Sequence, residues 1–276
     1  TKSKFEDQAL KWDSPWGVGY PGWHIECSCI SMKYCGEHLD IHCGGVDNAF
    51  PHHTNEIAQS EAYLGHPWCN YWMHVAHLDT AGGKMSKSKG GFTTVSTLEE
   101  RGYDPLVYRL FCLQSHYRKA LVFSWENLDN AKAAYDKLVS RVAALTEAGA
   151  VDAQAAAQYE AAFREAVGND LNTSLGVTAL YDVLKADLND ATKRALIASY
   201  DQVLGLELLE RAAARKEQQA QAASGEGAAE IEALIARRSE AKRAKDWGKA
   251  DAIRDQLKAM GVEIKDTPNG VEWKRI

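Results

Sequence analysis

Lys84-Met85-Ser86-Lys87-Ser88 is the stretch from which the fold of this chain can be read. Its two lysines alternate with hydroxyl residues in a loop that opens with Ala81-Gly82-Gly83 and closes with Gly90-Gly91. Lysine is a mobile point charge suited to phosphate, and glycine allows a loop to close over a ligand. The pattern predicts a phosphate-handling loop, and the alternative is a solvated basic loop.

Two further motifs stand upstream of this loop. Pro51-His52-His53-Thr54-Asn55-Glu56 precedes it, and Gly22-Trp23-His24-Ile25-Glu26-Cys27 lies earlier still. Residues 1–115 are rich in Gly, His, Trp and Cys, and their short apolar runs alternate with helix-like stretches. This pattern is typical of an α/β domain with functional residues at the strand ends.

The upstream motifs contain residue types that bind metals. We expect a helix to begin near Pro51 and end near Leu64, so that His52 and Glu56 project from one face. Cys27 is expected at the end of a strand. Zinc takes sulfur, imidazole and carboxylate ligands. Taken alone, a His–Glu pair at this spacing is more often a surface or helix-capping contact than a metal site.

Together these motifs resemble the second half of a class I aminoacyl-tRNA synthetase active site, and in detail the cysteinyl-tRNA synthetase family. The resemblance is closest over 15–127 and 230–276. It implies an α/β fold, a partial Rossmann-type catalytic domain, followed by an all-α helical bundle and a small α+β anticodon-binding module. It also implies an ATP-dependent enzyme, with Mg²⁺, that joins L-cysteine to tRNA(Cys) through cysteinyl-adenylate.

The resemblance assigns one zinc ion per subunit to Cys27, His52 and Glu56, with a further cysteine from a segment that this sequence does not contain. In the family the zinc receives the thiolate of the substrate cysteine. A metal ion binds thiolate sulfur far better than a serine hydroxyl. Discrimination of this kind can make a separate editing site unnecessary.

The resemblance also assigns substrate-binding roles. Trp23 would wall the amino-acid pocket, His42 would line it, and Asp47 would hold the substrate ammonium. The alternative for Trp23 and His42 is core packing. Lys87, assisted by Lys84, would bind ATP and stabilise the charge that builds on pyrophosphate as the adenylate forms.

The chain departs from the family pattern at three positions. Cys43 stands where a glycine is usual, and its thiol could crowd the floor of the pocket. Thr54 stands where a glutamate is usual. Lys242 stands where an arginine is frequent, and a lysine cannot make the planar two-pronged contact that arginine makes.

After Ser115 the composition changes to Ala, Leu, Lys and Glu with helical spacing of the apolar residues. The spacing predicts bundle helices over 125–147, 153–167, 173–187 and 190–204. It also predicts helices around 230–245 and 247–260, followed by two short strands. We divide the chain into a catalytic part (1–115), a bundle that contacts the tRNA stem (116–209), a mobile linker poor in large apolar side chains (210–229) and an anticodon-binding module (230–276).

The last module combines basic, aromatic and acidic side chains, a mixture that can contact phosphates, stack on a base and read base edges. By resemblance Trp247 would stack on an anticodon base, Asp251 and Asp266 would accept hydrogen bonds from bases, and Lys242 would be a further reader. The alternative is a solvated helix face.

Composition excludes several classes of protein. The net charge of −6 excludes binding of nucleic acid through a large overall positive charge. The sequence contains no apolar run near the roughly eighteen residues of a membrane span. Its six cysteines all lie at or before Cys112, which argues for reduced thiols in a cytoplasmic protein rather than a disulfide scaffold.

The His-x-Gly-His type motif that grips ATP phosphates in class I synthetases is missing from this sequence. We therefore expect the chain to begin inside the catalytic domain, with the N-terminal portion absent or supplied as a separate partner. We also expect the chain alone not to make cysteinyl-adenylate. Two alternatives stay open. One is the cysteine ligase of mycothiol biosynthesis, whose relatives lack an anticodon-reading tail, and the other is a non-catalytic RNA- or zinc-binding fragment.

Overall fold

The structure is a computed structural model that describes residues 10–80, 83–84, 94–224, 228–244, 246–267 and 270–275. The chain forms two compact units. The first comprises Thr1–Ala131 with Ala166–Val177, and the second comprises Lys132–Glu165 with Thr178–Ile276. None of the described helices combines the length and the apolarity needed to cross a membrane.

Short strands and helices alternate in the N-terminal part, and helices dominate afterwards. The first set is α1 (Trp23–Cys35), β1 (Leu39–Gly45), α2 (Thr54–Leu64), β2 (Cys69–Val75), β3 (Leu78–Thr80), β4 (Gly83–Lys84), α3 (Val95–Glu100), α4 (Pro105–Leu113) and β5 (Leu121–Phe123). The second set is α5 (Trp125–Ala143), α6 (Ala153–Gly168), α7 (Thr173–Lys185), α8 (Asp190–Leu204), α9 (Leu208–Ser224), α10 (Ala228–Arg243), α11 (Trp247–Ala259), β6 (Val262–Thr267) and β7 (Gly270–Arg275). The predicted order, an α/β part followed by helices and a small α+β tail, is confirmed.

A βαβ unit forms the centre of the first compact unit. Strands β1 and β2 pair in parallel, with His42 opposite Trp72 and Gly44 opposite His74. A parallel pair needs a crossover connection, and α2 supplies it. Successive side chains of a strand point to opposite faces. His42, Trp72 and His74 therefore share one face of the pair, and His42 contacts Glu56 of α2 from that face.

A second small sheet precedes the lysine-rich loop. Strand β3 lies between β4, to which it is antiparallel, and β5, to which it is parallel. The backbone of Lys84 is paired with Asp79 at the end of β4. Lys87 lies outside the described residues.

Helix α1 corrects one prediction. Cys27 was expected at the end of a strand, but it lies in the second turn of α1, between Gly22 and a C-terminal Gly36 with φ of 89°. The run of Trp, Ile and Cys around it is compatible with a strand by composition. Packing against α2 decides in favour of the helix, because the buried Ser60 hydroxyl donates a hydrogen bond to Ser28 at 3.0 Å.

The four bundle helices lie where the sequence predicted them, as α5 to α8. In the second unit, the rings of Phe163 and Tyr200 stack with centroids 3.9 Å apart, and the Tyr200 hydroxyl donates to the Tyr159 carbonyl. Helix α8 ends at Gly205, whose φ is 61°.

The segment 210–229 was predicted to be a mobile linker, and this prediction is wrong for most of its length. Helix α9 covers Leu208–Ser224. Its Ala, Gln, Glu, Arg and Lys residues are strong helix formers even without large apolar side chains. The buried Leu208 and Ala212 fix its first turns. The division of the chain into four functional parts stays a proposal.

The tail forms its own small core within the second unit. Helices α10 and α11 pack on the antiparallel hairpin of β6 and β7. The core consists of buried apolar side chains from three of these elements: Ile231, Leu234, Ile253, Leu257 and Val262. The predicted helices and strands of the tail are confirmed.

The hydrogen bond between Ser28 and Ser60 generates a testable prediction. Ser28→Ala leaves the Ser60 hydroxyl buried without its partner, which we expect to cost about 1–3 kcal/mol of unfolding free energy. The Ser28→Ala/Ser60→Ala double variant should be less destabilised than the sum of the two single variants. Urea unfolding followed by tryptophan fluorescence measures all four proteins. Additive effects would contradict a bond between the two hydroxyls.

Candidate functional site

The candidate site is built around Glu56, which is fully buried in the first turn of α2. One carboxylate oxygen, Oε1, lies 2.7 Å from Nε2 of His52 in the turn that precedes the helix. The other, Oε2, lies 2.9 Å from Nε2 of His42 on β1. A single acidic side chain thus faces two imidazoles from different elements.

Cys27 completes a group of possible metal ligands. The sulfur of Cys27, a nitrogen of His52 and an oxygen of Glu56 all lie within 4.8 Å of one another. Cys27 comes from α1, while the other two come from α2 and the turn before it. The structure therefore brings together the three residues that the resemblance assigned to one metal ion.

A second group shares Glu56. Ligand atoms of His42, His53 and Glu56 also lie within 4.8 Å of one another. His53 is buried, and its Nδ1 lies 2.8 Å from Nε2 of His74 on β2. A Cβ at Gly44 would come within 2.7 Å of the His53 ring. Glycine at this position therefore makes room for the imidazole.

Sequence reasoning missed His53 and His74. The signals were the His-His doublet and the shared parity of His42 and His74 along the two strands, which places both rings on the face toward α2. Neither signal is enough to place His53 and His74 in the site. The parallel register of β1 and β2 is also needed, because it brings His74 opposite Gly44.

The electrostatics of the cluster favour a bound cation. Burial raises the pKa of Glu56 to about 7. Burial, and then the neighbouring His42, His74 and His52, lowers the pKa of His53 to about 4. Burial, and then Glu56 and Glu26, raises the pKa of the Cys27 thiol. A nearby positive charge reverses the tendency of the carboxyl and the thiol to hold their protons, and neutral imidazoles offer lone pairs.

The donor set of Cys27, His52 and Glu56 fits zinc. Sulfur, nitrogen and oxygen are all zinc ligands, and the sulfur makes this group softer than the second one. In addition, neither oxygen of Glu56 has an aligned hydrogen-bond donor, although imidazole nitrogens approach both. His53, by contrast, already has His74 as a partner. The first group therefore fits a zinc ion better than the second group does.

The catalytic and anticodon-binding domains of one enzyme family both match this chain. A family model of the tRNA synthetases class I (C) catalytic domain matches residues 2–133. A second model, of the cysteinyl-tRNA ligase anticodon binding domain, matches residues 224–273. The chain belongs to the cysteinyl-tRNA synthetase family.

Curated relatives of this family are similar along most of the chain. The cysteine--tRNA ligase 1 of Burkholderia lata is 44% identical over 262 residues, which are 95% of this chain and 53% of the relative. The cysteine--tRNA ligase of Symbiobacterium thermophilum is 45% identical over 277 residues, 96% of this chain and 58% of the relative. That of Treponema denticola is 41% identical over 299 residues, 100% of this chain and 60% of the relative. The chain thus spans little more than half the length of these relatives.

Among solved structures, the chain matches the ternary complex of LeuRS with tRNA from Agrobacterium radiobacter. The TM-score is 0.45 and the sequence identity is 15%, with 78% of this chain and 34% of that chain covered.

The residues assigned to substrate binding lie in different settings. His42 was assigned to the pocket lining, and the structure places it in contact with Glu56, with the Trp72 ring 4.9 Å away. Trp23 is 73% exposed at the start of α1, one helical turn before Cys27 and therefore on the same side of the helix. Asp47 is exposed after β1, 3.8 Å from Nε2 of His77.

Two departures from the family pattern are explained by the structure. Cys43 is exposed, and as the neighbour of His42 on β1 it points to the opposite face. It therefore does not crowd the side of the strand that holds the cluster, contrary to expectation. Thr54 donates a hydrogen bond from its hydroxyl to the Ala49 carbonyl at 2.8 Å, which closes the turn before α2.

The anticodon-binding module contains an ion pair that the sequence did not predict. Both oxygens of Asp266 accept hydrogen bonds from Arg238, at 2.8 and 2.9 Å, and Lys242 donates a third at 2.9 Å. Arg238 is buried, and the two cations hold the pKa of Asp266 well below its usual range. Trp247 and Asp251, in contrast, are exposed by 59% and 64%.

We predict that Glu56→Gln lowers the zinc affinity of the chain by more than about tenfold. Losing a hydrogen-bond partner outside the coordination shell already lowers metal affinity about 10–100-fold, and Glu56 would be a direct ligand. Zinc competition with a chromophoric chelator measures the affinity. The matched control is His66→Ala, in the same unit but stacked on His38 away from the cluster. Equal affinity of Glu56→Gln and the unaltered chain would contradict the assignment.

The ion pair of Asp266 predicts a pH dependence. Its pKa is depressed in the folded state, so its contribution to stability is present above the unfolded pKa of about 3.9 and is lost as the pH falls below it. We expect acidification from pH 5 to pH 3 to destabilise the unaltered chain more than Asp266→Asn. Urea unfolding at each pH measures this. Asp187→Asn, which removes an exposed carboxylate elsewhere in the second unit, is the control, and its pH dependence should equal that of the unaltered chain.

Proposed function

We propose that this chain carries the thiol-reading and anticodon-reading parts of an ATP-dependent ligase that joins L-cysteine to tRNA(Cys) through cysteinyl-adenylate. The observation that supports it most is the convergence of Cys27, His52 and Glu56 on one point from separate elements. A sulfur, an imidazole and a carboxylate in this arrangement suit a zinc ion, one per subunit, and suit few other roles.

The residues of the cluster would bind the metal and fix the orientation of its ligands. His42 lies against Oε2 of Glu56, and the ring of Trp72 packs beside His42. These contacts from β1 and β2 would fix the orientation of the Glu56 carboxylate. The bound zinc would supply a strong preference for a thiolate over a hydroxyl. Cys27 would supply the sulfur ligand from α1.

The amino-acid site would extend from this cluster. Trp23 shares a side of α1 with Cys27, which suits a wall that covers the substrate side chain. Asp47 follows β1 and carries an exposed carboxylate that suits the substrate ammonium.

ATP, with Mg²⁺, would be handled by the lysine-rich loop. Lys84 ends the β4 strand, and Lys87 follows three residues later. Positive charge placed where negative charge develops on pyrophosphate lowers the barrier to adenylate formation.

The tRNA would contact the bundle and the tail, including the anticodon-binding module. Trp247 is exposed and available for stacking, and Asp251 is exposed next to it in α11. Because the oxygens of Asp266 are occupied by Arg238 and Lys242, its contribution would be to hold the Lys242 ammonium in place.

A mycothiol-pathway ligase would use the same thiol site with an amino-sugar as the acceptor. The match to an anticodon binding domain over 224–273 favours tRNA. The exposed Trp247 supports the same choice, because an unpaired base needs an aromatic face.

Calorimetric titration of the zinc-loaded chain with L-cysteine, L-serine and S-methyl-L-cysteine tests the proposal. We expect L-cysteine to bind and the other two to bind at least about a hundredfold more weakly, since neither offers a thiolate. The chain stripped of zinc should bind none of them. Equal affinity for L-serine, or cysteine binding without zinc, would show that the metal does not read the thiol.

Trp247→Ala tests the tRNA-binding tail. Base stacking on an aromatic side chain contributes about 1–3 kcal/mol, so we expect the affinity for the anticodon stem-loop of tRNA(Cys) to fall about 5- to 150-fold. Fluorescence anisotropy of a labelled stem-loop measures it. The same substitution at Trp16, which is 82% exposed in the first unit, is the matched control and should leave the affinity unchanged.

A further inference from the structure

Arg238 is a buried cation in the tail. It lies on α10 and is only 7% exposed. Arginine is almost never fully buried unless it is paired. Here two nitrogens of the guanidinium donate to the two oxygens of Asp266 on β6, at 2.8 and 2.9 Å. Because the side chain of Asp266 is half-exposed, the pair runs from the interior of the module to its surface.

The ion pair continues at the surface through Lys242. This residue lies one helical turn after Arg238 on α10, and its ammonium donates to Oδ2 of Asp266 at 2.9 Å. The hydrogen bonds to Asp266, and then the charges of Asp266 and Asp251, raise the pKa of Arg238 against the effect of burial. Trp247 lies one turn before Asp251 on the same side of α11. The ion pair therefore lies close to the helix side that carries the exposed Trp247 and Asp251.

Stability of the fold does not account for a buried arginine at this position. Apolar side chains already join α10, α11 and β6, among them Leu234, Ile253 and Val262. Exchange of a buried ion pair for apolar residues is often neutral or stabilising, because the buried charges lose their hydration. In addition, Nε of Arg238 is buried without a hydrogen-bond partner among the described residues. Burial of this arginine therefore costs free energy, which points to a role beyond the fold.

The guanidinium fixes the orientation of its neighbours. A planar fork that donates two parallel hydrogen bonds holds a carboxylate in one orientation, which a lysine ammonium does not do. Asp266, held in this way, accepts a hydrogen bond from Lys242, whose four-carbon stem is otherwise flexible. The other hydrogens of the ammonium remain for acceptors on the edge of an RNA base. A donor that is already oriented loses less entropy on binding than a mobile one.

We propose that Arg238 is a positioning residue for anticodon reading, which fixes Asp266 and thereby orients the Lys242 ammonium toward one base of the anticodon. The inference rests on the proposed tRNA-binding function of the tail. The base edge that is read offers hydrogen-bond acceptors, since an ammonium only donates. Arg238 itself is buried and acts through the other two side chains.

Arg238→Lys tests the proposal, because it keeps the positive charge and removes the fork. Fluorescence anisotropy measures the affinity of the 276-residue chain for the anticodon stem-loop of tRNA(Cys) and for three stem-loops with one anticodon base replaced in each. We expect the variant to bind the cognate stem-loop about tenfold more weakly, as for the loss of one hydrogen bond to a charged group. Its affinity for the stem-loop altered at the base that Lys242 reads should be unchanged. The matched control is Arg237→Lys, the same substitution at the neighbouring exposed position, which should leave all four affinities unchanged.

Two further variants show whether Arg238 acts through its neighbours. Lys242→Met should abolish the same preference, and adding Arg238→Lys to it should change nothing further. Asp266→Asn, at a half-exposed position, interrupts the same series of contacts and should lose the preference as well. A normal preference in Asp266→Asn would overturn the proposal even if Arg238→Lys were too unstable to assay.

The remaining outcomes separate this inference from the proposed function. Equal weakening of all four stem-loops by Arg238→Lys, or additive effects of Arg238→Lys and Lys242→Met on the preference, would show a merely structural role. An unchanged preference in Arg238→Lys would also overturn the inference, while binding of the cognate stem-loop by the unaltered chain would leave the proposed function standing. An unaltered chain without any preference for the cognate stem-loop would refute both.

Discussion

The burial of one carboxylate, that of Glu56, is the constraint on which the candidate site depends. A buried carboxylate is costly unless it is paired, and here imidazole nitrogens of His42 and His52 lie at 2.9 and 2.7 Å from its oxygens. Cys27 stands within reach on a third element. A cation shared by sulfur, nitrogen and oxygen would offset the cost of burying this charge and would thereby stabilise the fold.

The order of the helices and strands could be predicted from the sequence, and so could three candidate metal ligands. Helical spacing located α5 to α8 and the tail, because apolar periodicity reports burial directly. The same reasoning failed at α1, where Trp, Ile and Cys are compatible with either helix or strand, and at α9, where helix propensity acts without an apolar stripe.

The remaining parts of the site could not be predicted because they depend on pairing between distant segments. His74 meets His53 only through the register of β1 and β2. Asp266 meets Arg238 only because the β6–β7 hairpin packs on α10 and α11, and the sequence instead suggested a base-reading carboxylate. In both cases the local sequence shows which side chain is present, but only tertiary packing determines which residue it contacts.

Anomalous X-ray diffraction at the zinc absorption edge, from crystals of the chain grown with zinc, tests whether Glu56 shares a metal ion with Cys27 and His52. We expect one strong peak bounded by these three side chains, with a sulfur at about 2.3 Å and lighter ligands at about 2.0–2.2 Å. A peak between His42 and His53 with Cys27 turned away, or a metal bound without Glu56, would contradict it.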